Sequence, residues 1–417
     1  MRGESSPFRI NIDGNPALNV SDIEIAGKDS LYIFVKVTIN PNNTDSPLIQ
    51  SDSLLFETNG KTQYVKLVAW GQDAHFYNNA ILGSDYTFTA AKPHVIYGSF
   101  TVDSLYTLTI EAGAKVYFHN GAFLLVRRDG TLKVDGTKEQ PIIFRGDRLE
   151  DEYANIPAQW DRIWLSPGSK NNRINYAVII NGTTGIQADT TGTSTEPTLV
   201  LDNTLIYNMG EVALLAQGSY VRASNSIFGN CGKGSVFLRF GGNYDFRHCT
   251  IGNYWNYTVR QNEALVLNNY YYDTLGNEQP RDLANAYFGN CIIFGNQYNE
   301  VLLDNGKKAA FIYQFENCLM KTNINISNSL YFNNCIKNEE PWFTDVEIND
   351  FALDTIVSAA VNKGNIAVIN SAFSDIRRDI NGVYRIADGA PDLGAYEFVP
   401  EIKSKVIKRK SISFSKH

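Results

Sequence analysis

Five short stretches of this sequence carry one repeating pattern, and that pattern decides the fold. They are Asn203-Thr-Leu-Ile-Tyr-Asn208, Asn225-Ser-Ile-Phe-Gly-Asn230, His248-Cys-Thr-Ile-Gly-Asn253, Asn290-Cys-Ile-Ile-Phe-Gly-Asn296 and Asn317-Cys-Leu-Met320. Successive stretches start 22, 23, 42 and 27 residues apart, and the interval of 42 predicts two coils, the second of them around residues 264–269. A period of this size is typical of a solenoid, in which each repeat forms one coil and stacks on the coil before it.

The Asn residues that open and close these stretches predict the corners of the coils. Asn tolerates the left-handed backbone conformation that a tight corner needs. Equal positions of successive coils stack directly, so an Asn at a corner can hydrogen-bond to the Asn of the next coil while the apolar residues between corners fill the interior. At one period per coil, residues 95–398 would form roughly 11–14 coils.

Short apolar triplets extend the same architecture towards the N-terminus, beginning near Val95. They lie at 108–110, 116–118, 124–126, 132–134 and 142–144, with Gly113, Gly121, Gly130 and Gly136 between them. Three-residue strands separated by Gly turns suit a chain that winds in coils, and no long segment has a helical period, which argues against alternating strands and helices. The sequence therefore predicts an all-β parallel β-helix over residues 95–398.

The remaining segments differ in character. Residues 1–74 contain several short strands with turns at 41–43 (Pro-Asn-Asn) and 59–61 (Asn-Gly-Lys), which predicts a small β-sandwich. Residues 75–94 are expected to be a linker that packs through its aromatic residues Phe76, Tyr77 and Phe88. Residues 399–417 are a basic tail, interpreted as a last strand with Lys facing water.

The formal net charge of −7 is unevenly distributed. Residues 401–417 hold six Lys or Arg and one acidic residue, so this tail carries +5 and the rest of the chain −12. A body of that charge argues against nucleic acid as a partner. No apolar run is long enough to span a membrane. The polar start Met1-Arg2-Gly3-Glu4 shows no signal peptide, so composition alone would permit a cytoplasmic protein.

Several parts of the chain resemble bacterial right-handed parallel β-helix proteins. Residues 108–146 (LTIEAG…IIFRG) resemble their opening coils, and residues 159–187 (QWDRIW…TTGIQ) resemble the coil that follows. Residues 341–364 (PWFTDV…VNKG) and 385–398 (RIADGAPDLGAYEF) resemble their closing segment. The proteins resembled are exported, surface-attached proteins of Bacteroidetes with a pectate-lyase-like fold. In the first segment, residues 65–74 (VKLVAWGQDA) resemble the end of small immunoglobulin-like domains.

This resemblance implies a right-handed coil and an exported protein at the outer-membrane surface or outside the cell. It also implies a polysaccharide or other glycan as partner and a lipid anchor at a removed N-terminus, and a monomer is expected. It does not imply one activity, because this fold carries lyases, hydrolases, adhesins and inert spacers.

The five cysteines predict a structural role. They are Cys231, Cys249, Cys291, Cys318 and Cys335, without a Cys-x-x-Cys pair or a neighbouring His cluster, so zinc is not indicated. Four of them follow a corner residue, which predicts a row of buried thiols stacked along the interior. Neighbours in such a row are close enough for a single disulfide, although the odd count argues against a fully paired framework.

The motifs of β-helix enzymes are largely missing. The predicted β-helix contains neither the Asp-Asp nor the Gly-His-Gly of polygalacturonase-type hydrolases. Glycoside hydrolysis needs two carboxylates that face one linkage, and Asp282 and Asp304 stand out of register with the repeat. A pectate-lyase-type elimination would need Ca²⁺ held by stacked carboxylates. No stacked acidic triplet is found, so no metal site is predicted, and Ca²⁺ is a cofactor only if the protein is a lyase.

The most distinctive residues lie between 239 and 272. His248 occupies a corner where other coils have Asn, so it either completes the Asn ladder or acts as a general base with Asp245 and Arg247 beside it. The aromatic residues that follow in longer connections either pack on the coil or, with Arg239, bind sugar, because aromatic rings stack on sugar C–H faces. These aromatic residues are Tyr254, Trp255, Tyr257, Tyr270, Tyr271 and Tyr272.

Three functions are compatible with these features. The first is binding or presentation of carbohydrate through the aromatic residues. The second is a polysaccharide lyase or glycoside hydrolase that uses Asp245, Arg247 and His248, and the third is a structural stalk or adhesin without a small ligand. An exposed aromatic shelf would favour carbohydrate binding, and a groove with convergent carboxylates or His248 would favour an enzyme. Buried rings would favour a structural stalk.

Overall fold

The computed structural model describes residues 2–40, 48–71, 73–189 and 195–400. The expected turn at 41–43 and the basic tail beyond residue 400 lie outside the described residues. The described helices are three single 3-10 turns (Gly3–Ser5, Asp151–Tyr153 and Val346–Ile348) and one short α-helix, α1 (Ile366–Asn370). None of them has the length and apolar character needed to cross a membrane.

The N-terminal segment forms two small antiparallel sheets. Its strands are β1 (Phe8–Ile12), β2 (Asn15–Ala17), β3 (Ile33–Val37), β4 (Leu48–Thr58) and β5 (Lys61–Gly71). β1 lies between β2 and β3, while β4 and β5 form a hairpin that turns at Asn59 and Gly60 in the left-handed conformation. Ile10 and Ile12 of the first sheet pack with Leu54 of the hairpin. The immunoglobulin-like character of this segment stays a prediction.

The parallel β-helix follows and is built from short strands that alternate with corners. In chain order its strands are β6 (His75–Leu82), β7 (Tyr86–Phe88), β8 (His94–Val102), β9 (Thr107–Glu111), β10 (Lys115–Phe118), β11 (Phe123–Val126), β12 (Thr131–Asp135), β13 (Ile142–Gly146), β14 (Ile163–Leu165), β15 (Asn172–Asn175), β16 (Ala177–Ile180), β17 (Thr184–Asp189), β18 (Leu199–Asp202), β19 (Leu205–Met209), β20 (Val212–Gln217), β21 (Tyr220–Ser224), β22 (Ile227–Cys231), β23 (Gly234–Arg239), β24 (Gly242–Arg247), β25 (Thr250–Asn253), β26 (Leu265–Asn268), β27 (Tyr270–Tyr272), β28 (Glu278–Pro280), β29 (Leu283–Gly289), β30 (Ile292–Gly295), β31 (Val301–Asp304), β32 (Gln314–Glu316), β33 (Leu319–Met320), β34 (Phe332–Asn333) and β35 (Ile336–Lys337).

Strands of successive coils pair in parallel and form three sheets. Sheet 1 contains β10, β13, β16, β19, β22, β25, β30, β33 and β35, and sheet 2 contains β11, β14, β17, β20, β23, β26 and β31. The longer β6 and β8 run through both of these sheets. Sheet 3 contains β7, β9, β12, β15, β18, β21, β24, β29, β32 and β34. The predicted all-β parallel β-helix is confirmed.

The described stack differs from the expected one in length and in its limits. Sheet 3 contains one strand from each of ten coils, and β35 adds an eleventh level in sheet 1. Because the first of these levels lies before residue 95, residues 95–398 form fewer coils than expected. β25, β26 and β29 belong to a single coil, so the prediction of a separate coil around residues 264–269 is wrong. The 42-residue interval is one coil with two long insertions, which a count of periods cannot distinguish from two coils. Stacking begins at His75, inside the expected linker, because β6 pairs with β8 and β7 with β9.

The interior is filled by residues that stack from coil to coil. In sheet 3, Phe246, Phe288, Phe315 and Phe332 occupy the same inward position of four successive coils, with ring centroids 5.2, 4.8 and 5.5 Å apart. Burying each of these rings stabilises the fold by about 2 kcal/mol. These four coils therefore gain roughly equal apolar stabilisation from this position.

The corner between sheet 3 and sheet 1 is left-handed in seven successive coils. Its φ angles lie between 47° and 53°, at Tyr176, Asn203, Asn225, His248, Asn290, Asn317 and Asn334. Asn225 Nδ2 donates to Asn203 Oδ1 (3.1 Å), and Asn203 Nδ2 donates to Asn175 Oδ1 (3.0 Å). The predicted Asn ladder is confirmed for these coils, whereas Asn317 donates instead to the carbonyl of Lys363 (2.9 Å).

Residues 338–398, here called the C-terminal strap, leave the stack and fold back over the outer face of sheet 1. The strap contains β36 (Phe343–Asp345), β37 (Asp350–Leu353) and α1. Phe351 of β37 is 1% exposed and lies on two glycines of sheet 1, Gly229 and Gly252. This is why residues predicted to extend the coils do not add to their number.

A buried ion pair fixes the end of the strap. The Arg385 side chain is fully buried, and its Nη1 donates to Glu397 Oε1 (2.5 Å) while its Nη2 donates to Asn225 Oδ1 (2.9 Å). The Ala395 amide donates to Thr250 Oγ1 of β25 (3.1 Å). The residues 385–398 that resemble a closing segment therefore hold the strap against the middle of the stack.

Candidate functional site

His248 lies at the corner position but has no exposed surface. Asn290 Nδ2 donates to its Nε2 (2.8 Å), which makes Nε2 the unprotonated ring nitrogen. Burial and the neighbouring Arg385 charge lower the pKa of His248 well below its usual range. His248 is therefore a neutral ring that takes the place of an Asn in the ladder. Because the ring is buried, it cannot contact a polymer on the surface.

Asp245 and Arg247 pair with each other and with the strap. Arg247 Nε and Nη2 donate to the two carboxylate oxygens of Asp245 (2.8 and 3.0 Å). Arg247 Nη1 donates to the carbonyl of Val368 (2.9 Å) and to Ser371 Oγ (2.7 Å) at the end of α1. Through these contacts Asp245 and Arg247 hold the strap on sheet 3. Because their polar groups are used in this way, Asp245, Arg247 and His248 form no groove in the described structure.

The first aromatic group, in the connection between β25 and β26, is largely packed. Trp255 is 6% exposed, and its indole N–H donates to Thr258 Oγ1 (2.9 Å). Tyr257 is exposed, and its hydroxyl donates to the carbonyl of Asn155 (2.8 Å). Tyr254 packs against Phe343 and Phe351 of the strap. Trp255 and Tyr254 thus match the packing alternative rather than an open shelf.

A buried ion pair secures the same connection. Both nitrogens of the Arg260 fork contact Glu300, Nη2 to Oε1 (2.6 Å) and Nη1 to Oε2 (2.8 Å), and both side chains are almost fully buried. Glu300 also accepts hydrogen bonds from the amides of Ala264 (3.0 Å) and Gln297 (2.8 Å). All of these contacts fix the insertion in one conformation.

The second aromatic group lies at the opposite end of β26, in the antiparallel hairpin of β27 and β28. Tyr270 and Tyr272 point to one side, where the Tyr270 hydroxyl donates to Asp304 Oδ2 (2.9 Å) and Tyr272 is 62% exposed. Tyr271 points to the other side, towards Phe240. The two aromatic groups therefore do not form one exposed aromatic shelf.

Tyr271 belongs to a row that alternates charge and aromatic surface. The Arg239 guanidinium lies 5.2 Å from the Phe240 ring, the Phe240 and Tyr271 rings are 5.1 Å apart, and the Arg281 guanidinium lies 5.0 Å from the Tyr271 ring. Arg281 Nη2 also donates to the Tyr271 hydroxyl (2.9 Å). We call these four residues the arginine–aromatic patch. Both guanidinium groups are exposed, and neither has an ion-pair partner among the described residues.

Sequence reasoning named Arg239 and Tyr271 but missed Phe240 and Arg281. Phe240 follows β23 with a left-handed φ of 63°, and its ring lies beside Tyr271 outside the core. Arg281 follows β28, and only the hairpin pairing of Tyr270 with Pro280 brings it beside Tyr271. A hairpin prediction for residues 270–280 could have found it.

Acidic residues do not converge in the described part of the chain. Asp304 accepts hydrogen bonds from Tyr270 and Asn268, and Asp282 accepts one from the amide of Ala310. Across the described residues, no group of three or more His, Cys, Asp or Glu side chains is arranged to hold a metal ion.

The chain matches no protein-family model, no curated protein and no solved structure.

Proposed function

We propose that this protein is a glycan-binding β-helix protein and that it binds acidic polysaccharide at the arginine–aromatic patch. The observation that supports the proposal is the pairing of two exposed guanidinium groups with two aromatic rings. Guanidinium groups bind carboxylates and sulfates through two parallel hydrogen bonds, and aromatic rings stack on the C–H faces of sugars. Acidic sugars present both chemistries in one residue.

Binding by the double variant Arg239→Ala/Arg281→Ala tests the proposal. Each charge-assisted contact contributes about 1.5–3 kcal/mol, so losing both should weaken affinity for a polyuronate at least about one-hundredfold. Affinity electrophoresis of the full chain, in gels that contain polygalacturonate, alginate or a neutral glucan, measures it. Added salt should weaken wild-type binding to the acidic polymers.

The matched control is Arg127→Ala/Lys233→Ala, which removes the same charge from exposed ion pairs elsewhere. This variant should bind like the wild type. Equal weakening by both double variants would reduce the effect to net charge, and unchanged binding by Arg239→Ala/Arg281→Ala would place the site elsewhere. Tyr272→Ala then tests the other side of the hairpin.

A structural stalk is the second candidate, and one observation favours it. A column of Phe crosses four coils, corner Asn residues bond between coils, and buried ion pairs fix both the Arg260 connection and the strap. Such a body is rigid without any ligand. A folded protein that is not retarded by acidic or neutral polymers would favour this role.

We also infer that the protein is exported. Support comes from its resemblance to surface-attached β-helix proteins. Labelling of intact producing cells with a reagent that does not cross membranes tests this inference, and a chain found only after cell lysis would contradict it.

A further inference from the structure

A column of small side chains runs through the interior, directly after the corner between sheets 3 and 1. The pairings of Thr250 with Ile292, Ile292 with Leu319 and Leu319 with Ile336 place the preceding cysteines in one register. From coil to coil the column contains Ala177, Thr204, Ser226, Cys249, Cys291, Cys318 and Cys335. The predicted row of stacked thiols is confirmed, and all five cysteines are free.

Register also fixes the spacing within this column. Neighbouring parallel strands lie about 4.8 Å apart, and disulfides join Cα atoms separated by roughly 4.4–6.8 Å. Glu316 pairs with Asn333 and Leu319 with Ile336, so Cys318 and Cys335 stand opposite each other between two paired positions. Their expected Cα spacing therefore falls within the range that a disulfide joins.

Cys335 ends the column and differs from the other thiols. It is half-buried, whereas Cys231, Cys249, Cys291 and Cys318 are buried. A hydrogen bond from the Cys318 thiol lowers the pKa of Cys335, while burial raises the pKa of Cys318. A partly exposed thiol with a lowered pKa beside a second thiol is the arrangement of residues that oxidise reversibly.

We propose that Cys335 and Cys318 form an oxidisable pair, which closes to a disulfide when the protein meets a hydroperoxide. The Cys335 thiolate attacks one oxygen of hydrogen peroxide, the O–O bond breaks, and the other oxygen takes up a proton and leaves as water. This step leaves a sulfenic acid on Cys335. The sulfur of Cys318 then attacks the Cys335 sulfur, and the S–O bond breaks to release a second water. Two thiols lose two electrons in total, and one peroxide gains them.

Peptide mapping of the full chain tests this proposal independently of glycan binding. The reduced protein is exposed to hydrogen peroxide, its remaining thiols are blocked with N-ethylmaleimide, and it is cleaved with trypsin without reduction. Cys318 and Cys335 fall on different tryptic peptides, 309–321 and 322–337. We expect these two peptides as one linked species, a fall from five to three free thiols, and full recovery after dithiothreitol.

Two serine variants complete the experiment. Cys335→Ser should abolish the linked species, and Ser226 already occupies the same column, so serine fits there. Cys231→Ser, outside the column, should leave the link intact. Retention of five thiols in the treated folded protein would overturn the proposal. Oxidation of Cys335 to sulfinic acid without a link, or a first link between Cys318 and the peptide that contains Cys291, would also overturn it.

Discussion

One backbone conformation decides which side chains can stand at the corner between sheet 3 and sheet 1. A left-handed φ places Cβ close to the following carbonyl oxygen, which costs ordinary residues roughly 1–2 kcal/mol, whereas Asn visits this region readily. His248 adopts φ 49° there, between Asn225 and Asn290 at the same corner of the adjacent coils. The position therefore selects for a short polar side chain that can bond to its neighbour.

His248→Asn should preserve the fold for this reason. We expect its free energy of unfolding in urea to differ from the wild type by less than about 1 kcal/mol, because Asn keeps both the conformation and a partner for Asn290. His248→Val should lose about 2–3 kcal/mol through strain and a lost hydrogen bond. If the protein depolymerised a polysaccharide and the folded His248→Asn variant did not, His248 would be catalytic after all.

A second histidine, His94, is held neutral at the N-terminal end of the stack. The His94 side chain is 2% exposed, and its ring lies 4.0 Å from the Phe88 ring. Its Nε2 donates to the carbonyl of Thr89 (3.0 Å), and its Nδ1 accepts from the Tyr77 hydroxyl (3.1 Å). Burial lowers the pKa of His94 from 6.5 to about 4. The neutral ring satisfies both hydrogen bonds, and the charged ring lacks solvation.

Acid should therefore destabilise the protein through His94. The unfolded chain binds a proton below pH 6.5 while the folded chain does not until about pH 4, so this contribution is complete above pH 6.5 and is lost as the pH falls towards 4. The loss approaches about 3 kcal/mol. Urea unfolding at pH 7.5 and 4.5 should show a smaller pH difference in His94→Gln than in the wild type. His119→Gln, at a side chain that is half exposed, is the control, and an unchanged difference in His94→Gln would contradict the assignment.

At the scale of elements, the contact between β37 and sheet 1 depends on two glycines, which have no side chain. A Cβ at Gly252 would lie 2.5 Å from Phe351 Cε1, and one at Gly229 would lie 2.6 Å from Phe351 Cε2. The two glycines of β22 and β25 thus form a shallow groove for one aromatic ring. Sheet 1 accepts the strap because of this groove.

Gly252→Ala should loosen the strap without unfolding the coils. Displacing Phe351 should cost about 1–3 kcal/mol, and deuterium exchange should accelerate in residues 343–353 while the inward strands keep their protection. Gly83→Ala, where a new Cβ meets nothing within 4 Å, is the matched control. In the background of Phe351→Ala the glycine substitution should have little further effect. An additive effect would show that the groove does not act through this ring.

At the scale of the whole molecule, the repeating features were predictable and the departures from them were not. Corner Asn residues and apolar triplets predicted strands and stacking, because both depend on local conformation and a fixed period. The insertion after Asn253, the early start at His75 and the strap were missed, since each depends on pairing between residues far apart in the chain.

The candidate site followed the same division. Arg239 and the three tyrosines could be named as exposed or unusual residues of one stretch. Burial of His248 under the strap could not be foreseen, because its neighbours Arg385 and Gly394 are distant in sequence. Phe240 and Arg281 were missed because the hairpin of β27 and β28, not the coil repeat, brings them together.

The strap also dictates the order in which the chain can finish folding. Each coil needs only the coil before it, so the stack can grow from its N-terminal end as the polypeptide emerges. The strap joins residues up to 172 positions apart, as in Ala395 with Thr250, Arg385 with Asn225 and Ser374 with Asp202. Contacts of such separation form last, because closing a long loop is entropically costly. Until residues 338–398 have been made, part of sheet 1 stays uncovered, and a chain that stops before them would expose this face to its neighbours.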